Sequence, residues 1–119
     1  MKALVTEDSS FMRSILTNIL DDLGFDEVKE AENGKKALEK FEGFDPDIIL
    51  LDIVMDEKGG IETLADIRDQ DEETPVVMVS AVGQKDVAEE AMEKGAQDFV
   101  EKPFDNDDVK ETIKEILDL

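Results

Sequence analysis

The 119-residue chain has no cysteine and no histidine. The first absence excludes disulfides, thiolate zinc sites and a cysteine nucleophile. The second removes the commonest general base and the commonest transition-metal ligand. Tyrosine is missing as well. Chemistry must therefore come from carboxylates, hydroxyls, lysines and backbone groups. Basic residues are scarce: 13 Lys and Arg stand against 33 Asp and Glu, for a formal net charge of −20. Nucleic acid requires a basic stripe, and none is visible. An anionic membrane surface is disfavoured for the same reason. No apolar run approaches the roughly 18 residues needed to span a bilayer. The N-terminus Met1-Lys2-Ala3-Leu4-Val5 runs too quickly into acids for a signal peptide. The expectation is a cytoplasmic protein, with its acids forming a solvated surface, a face for a basic partner, or both.

What is present is a regular alternation. Hydrophobic residues make up 40 % of the chain, enough for one packed core in one domain. Ala3-Leu4-Val5 is a short apolar strand stopping at Glu7-Asp8. Phe11, Met12, Ile15, Leu16, Ile19, Leu20 and Leu23 follow at helical spacing, with Ser9 or Ser10 as N-cap and Gly24 at the C-terminal end. Val28 to Ala31 reads as a strand, Asn33-Gly34 as a turn, and Ala37, Leu38 and Phe41 as a helix ending near Gly43. Ile48-Ile49-Leu50-Leu51 and Val76-Val77-Met78-Val79 are apolar at every position, as strands buried on both faces are. A helix carrying Ile61, Leu64, Ala65 and Ile67 lies between them. Val87, Ala88, Ala91 and Met92 share a face of the next helix, closed by Gly95. Phe99-Val100 is the last strand. Asp105 or Asn106 caps a final helix with Val109, Ile113, Ile116 and Leu117 inward. Five strands alternating with five helices predict an α/β fold, a parallel sheet covered on both faces.

In an open parallel sheet, sites form at the carboxyl ends of the strands. There the first strand delivers Glu7 and Asp8, the third Asp52, the fourth Ser80 and the fifth Lys102. Clustered carboxylates repel one another and raise a pKa unless a cation sits among them. Oxygen-only ligands favour a hard ion, and Mg²⁺ suits one or two carboxylates plus waters and a phosphoryl oxygen. Lys102 and the Ser80 hydroxyl could hold other phosphoryl oxygens. The set points to phosphoryl transfer, with a carboxylate able to act as acceptor. Residue chemistry leaves open which acid accepts and what donates.

At these residues the sequence closely resembles the receiver domain of two-component response regulators, over its whole length. Glu7-Asp8 matches the acidic pair, Asp52 the phosphoacceptor, Ser80 the hydroxyl position and Lys102-Pro103 the Lys-Pro signature. The resemblance implies a doubly wound (βα)5 flavodoxin-like fold with strand order 2-1-3-4-5. It implies one receiver domain over residues 1–119 with no output domain, no turnover of an external substrate, and a monomer. Asp8, Asp52 and the Val54 backbone carbonyl would ligate Mg²⁺ (or Mn²⁺ in its place), with Glu7 acting through water. A histidine kinase would be the donor, and the Lys102–Pro103 peptide would be cis. Ser80 and the aromatic at position 99 would carry the switch to a surface formed by the fourth helix, fifth strand and fifth helix. Ser80-Ala81-Val82-Gly83-Gln84, with Ala91, Lys94 to Val100 and Lys102-Pro103-Phe104, look most like the stand-alone chemotaxis branch. That branch implies a CheA-like kinase, a motor or motor-adaptor partner, and a phosphatase.

Three residues depart from the family pattern. Glu7 stands for the more usual Asp, Asp56 for a common proline, and Phe99 for the commoner switch tyrosine. The closest rival function is a phosphorelay intermediate or a single-domain regulator of another pathway. A phosphatase of the haloacid-dehalogenase type fits less well, because its D-x-D motif follows the first strand, where this chain has Glu7-Asp8-Ser9. A degenerate scaffold is disfavoured by the presence of Asp8, Asp52, Ser80 and Lys102 together.

Overall fold

The computed structural model describes residues 1–55, 57–81 and 83–119. Strands β1 (Lys2–Thr6), β2 (Glu27–Ala31), β3 (Ile48–Asp52), β4 (Val76–Ala81) and β5 (Asp98–Lys102) alternate with helices α1 (Ser10–Asp22), α2 (Gly34–Phe41), α3 (Gly60–Gln70), α4 (Lys85–Glu93) and α5 (Asn106–Leu117). The strands form one sheet in the order β2-β1-β3-β4-β5, and every pairing is parallel. The implied order and fold class are both observed. No helix among the described residues is long and apolar enough to cross a membrane.

Burial explains which strands are easy to read. All five residues of the central strand β3 are buried, and β4 is buried until Ala81. Their side chains feed two separate cores, one on each face of the sheet. Leu4, Ile49, Leu51, Val76 and Met78 pack with Leu64 and Ile67 of α3 and with Ala88 and Ala91 of α4. Ala3, Val5, Ile48, Leu50 and Val77 pack with Leu16, Ile19 and Leu20 of α1 and with Val109 and Ile113 of α5. The edge strand β2 buries only Ala31 fully, so its Glu27-Val28-Lys29-Glu30 carries charge where water reaches it.

Helix ends follow local chemistry. Ser9 caps α1 by accepting from the Met12 amide, and Gly24 after it takes φ +88°, open to glycine without strain. Asp105 caps α5. Asn33-Gly34 is not a free-standing turn: Asn33 is the N-cap of α2, accepting from the Lys36 amide, and Gly34 is the helix's first residue. Gly34 is required there, because a Cβ would lie 2.0 Å from Thr63 Oγ1 and 2.7 Å from the Lys58 carbonyl. Phe11 fits the α1 periodicity yet is 73 % exposed, at the start of the helix. Met92 also departs from the inward face expected for it and is exposed. Asp56 lies outside the described residues.

Candidate functional site

The sheet register brings the strand ends level. Thr6 pairs with Leu51, so Glu7 follows beside Asp52; Asp52 pairs with Val79, and Ala81 with Lys102. Glu7 leaves β1 with its amide donating to the Ala31 carbonyl at 3.0 Å, and its side chain is 1 % exposed. Asp8 points to solvent. Asp52, the last residue of β3, is 5 % exposed. Behind it the chain turns so tightly that a Cβ on Gly60 would lie 2.1 Å from the Asp52 carbonyl oxygen. Glycine at 60 thus lets α3 start against the backbone of the acid.

Carboxylate oxygens of Glu7, Asp8 and Asp52 lie within 4.8 Å of one another. Lys102 Nζ, from the end of β5, stands 2.6 Å from Glu7 Oε1 and 3.5 Å from Asp52 Oδ2. The Lys102–Pro103 bond is cis, as expected. One ammonium faces three acids, and the protonation tendencies reflect it. The Asp52 carboxyl is raised above its ordinary value, chiefly by burial; Lys102 and a hydrogen bond with Glu7 oppose the rise, and Asp8 adds to it. Asp8 is raised by a hydrogen bond shared with Glu7, then by burial and by the Glu7 charge. Burial alone would depress Lys102, but Glu7 and Asp52 outweigh it and hold the ammonium above its ordinary value.

Ser80 is fully buried near the end of β4, and its Oγ has no hydrogen-bond partner among the described residues. The Thr6 hydroxyl is in the same condition at the end of β1. A buried hydroxyl without a partner is costly in a static fold. Val54, two residues past Asp52, exposes its side chain. Phe99 lies on β5, half-buried against the core that includes Ala88 and Ala91 of α4, so it does not join the acidic cluster. Arg13 also takes part, though residue type alone does not mark it. Arg13 Nη1 donates to the Glu7 carbonyl at 2.7 Å and to the Asp8 carbonyl at 3.2 Å. Its signal was faint: one of only two arginines, one turn into the helix after the acidic pair.

A sequence-family comparison decides the lineage: the model of the response regulator receiver domain matches residues 3–114. The chain belongs to this family. This receiver is 44 % identical over 114 residues to the chemotaxis protein CheY of Listeria monocytogenes, covering 96 % of each chain. It is 35 % identical to CheY of Halobacterium salinarum, covering 98 % of this chain and 96 % of that one. Among solved structures it resembles CheY in the CheX–CheY–BeF3–Mg²⁺ complex from Borrelia burgdorferi, with TM-score 0.92 and 31 % identity. That match covers 98 % of this chain and 88 % of the other.

The donor set of the receiver's acidic cluster is compatible with Mg²⁺. It offers only oxygen, histidine and cysteine are missing from the whole sequence, and two of its carboxyls are raised, Asp52 chiefly by burial and Asp8 chiefly by its hydrogen bond with Glu7.

Proposed function

We propose that Asp52 accepts a phosphoryl group from the phosphohistidine of a CheA-like histidine kinase, and that the phosphorylated receiver signals by binding a motor or motor-adaptor protein in chemotaxis. The observation that carries this reading is the meeting of Glu7, Asp8, Asp52 and Lys102 at one sheet edge. The CheY relatives matched over nearly their full length support the chemotactic assignment.

Asp8, Asp52 and the Val54 backbone carbonyl would hold Mg²⁺, with Glu7 acting through water; Mn²⁺ would serve in its place. When bound, the ion neutralises charge on the transferring group. An Asp52 carboxylate oxygen attacks phosphorus, the phosphorus–nitrogen bond of the donor breaks with its electron pair left on the imidazole, and an acyl phosphate remains on Asp52. Lys102 pairs with a phosphoryl oxygen. The orphan Ser80 hydroxyl supplies a hydrogen bond to another, so a cost borne in the resting state is relieved in the phosphorylated one. Movement of Ser80 is then read out through Phe99 and the face of α4, β5 and α5.

Nothing in this chemistry requires an external substrate to be turned over, and the receiver acts in the cytoplasm as a monomer. A partner that removes the phosphoryl group would complete the cycle; one solved relative was crystallised as a complex with CheX.

The test is intact-mass analysis after incubation with Mg²⁺ and acetyl phosphate. Wild type should gain one phosphoryl group and Asp52→Asn none. An unlabelled wild type, or equal labelling of the variant, would overturn the assignment.

A further inference from the structure

The acidic turn after β1 carries two adjacent carboxylates, and its backbone must be held in place against their repulsion. Few bonds do so. The Glu7 amide is tied to the Ala31 carbonyl, the Ser9 amide donates to Glu7 Oε2 at 3.0 Å, and the Ser9 hydroxyl is occupied in capping α1. Among the described hydrogen bonds, only Arg13 reaches the carbonyls of both Glu7 and Asp8. Its Nε also donates to Glu30 Oε1 at 3.3 Å, which fastens the turn to the edge strand β2. The Arg13 amide in turn donates to the Ser9 carbonyl at 2.9 Å, and its side chain is 18 % exposed. A planar guanidinium serves these three acceptors at once, whereas an ammonium is a single point of donation.

We propose that Arg13 is a positioning residue for divalent-cation binding: by clamping the Glu7 and Asp8 carbonyls it presents the Asp8 carboxylate to the ion. This rests on reading the cluster as a Mg²⁺-dependent phosphoryl site. Charge and position make opposite demands here. A cation beside a metal site repels the ion, so on electrostatic grounds alone removing Arg13 would tighten Mg²⁺ binding. Loss of a clamp that orients a ligand loosens it, by about tenfold or more where supporting hydrogen bonds have been removed from other metal sites.

The experiment is calorimetric titration of Mg²⁺ into wild type, Arg13→Ala and Arg13→Lys, with amide hydrogen exchange at Asp8 and Ser9 measured without metal. Both variants should bind Mg²⁺ about tenfold more weakly, and exchange in the turn should accelerate in both. Arg13→Lys keeps the charge and helix propensity, so it carries the comparison if Arg13→Ala fails to fold. Arg13→Ala binding Mg²⁺ as tightly as wild type or tighter would overturn the proposal, as would wild-type affinity in Arg13→Lys. A wild type that binds no Mg²⁺ would overturn both this and the phosphoryl-site reading; a binding wild type matched by its variants overturns the clamp alone.

Discussion

Lys102 is held closer to Glu7 than to Asp52, at 2.6 Å against 3.5 Å. The lysine thus rests mainly on the acid that departs from the family pattern. Glutamate is one methylene longer than aspartate, and that reach spans from the end of β1 to the ammonium of β5.

Glu7→Gln tests the pairing. Lys102 lies above its ordinary value because Glu7 and Asp52 outweigh burial, so removing the Glu7 charge should lower its pKa. For a cation with a raised folded pKa, the stability it contributes is complete below the ordinary value near 10.5 and is lost as pH rises through the folded value. Titration of the lysine side-chain carbons by NMR would show the change. An unshifted Lys102 in Glu7→Gln would mean that Glu7 is not its main partner.

Asp52 itself works against the fold. A carboxyl whose folded pKa is raised binds protons more readily when native, so stability falls as pH rises from the ordinary value of 3.8 through the folded one. In metal-free buffer at neutral pH, Asp52→Asn should therefore melt higher than wild type, with the gap closing below the carboxylate range. Mg²⁺ should raise the melting temperature of wild type and do less for the variant. Equal melting at every pH would contradict the strained charge.

The two orphan hydroxyls should respond differently to removal. Thr6→Val deletes a buried donor that has no described partner, so it should be neutral or stabilising by up to about 1 kcal/mol. Phosphoryl uptake should be unchanged. Ser80→Ala should fold equally well and still accept the group on Asp52, while its phosphorylated form binds the partner more weakly. Undiminished binding would remove Ser80 from the relay; the measurements are denaturant unfolding and partner titration.

Gly60→Ala should be among the more damaging small changes in the chain. Its Cβ would meet the Asp52 carbonyl oxygen at 2.1 Å and Ile53 Cα at 2.8 Å, which are backbone atoms that cannot rotate aside. Overpacking of this kind costs about 1–3 kcal/mol, and relaxation would displace Asp52. Chemical denaturation and the phosphorylation rate should both register it; a variant unchanged in both would contradict the close approach.

The legibility of these features follows burial. Ile48–Leu51 and Val76–Val79 could be read directly because strands covered on both faces have no polar position to blur the pattern. The edge strand β2 admits charge, and its reading as Val28 to Ala31 stops one residue short of Glu27. Phe11 misled because helical period identifies a stripe along α1 but not how far along the helix that stripe is covered. Asn33-Gly34 misled because the same dipeptide suits a turn and a helix start; the approach of Thr63 and Lys58 selected the second. In the site, Glu7, Asp8, Asp52, Ser80 and Lys102 were recognisable as strand-end residues. Arg13 was not, because its acceptors are backbone carbonyls, which any sequence possesses.

The sequence by itself determined the alternation of strands and helices, their caps, the all-oxygen chemistry and the candidate acids, since these depend on residue type and short-range period. Only the tertiary structure decided how one ammonium is shared between two of those carboxylates. Glu7 and Lys102 are 95 positions apart, and their contact exists because strand order and register carry both to one edge. Coulomb energy and hydrogen bonding change steeply over the ångström or so by which the two Lys102 distances differ. Residue spacing along the chain cannot resolve that distance; the packed sheet does.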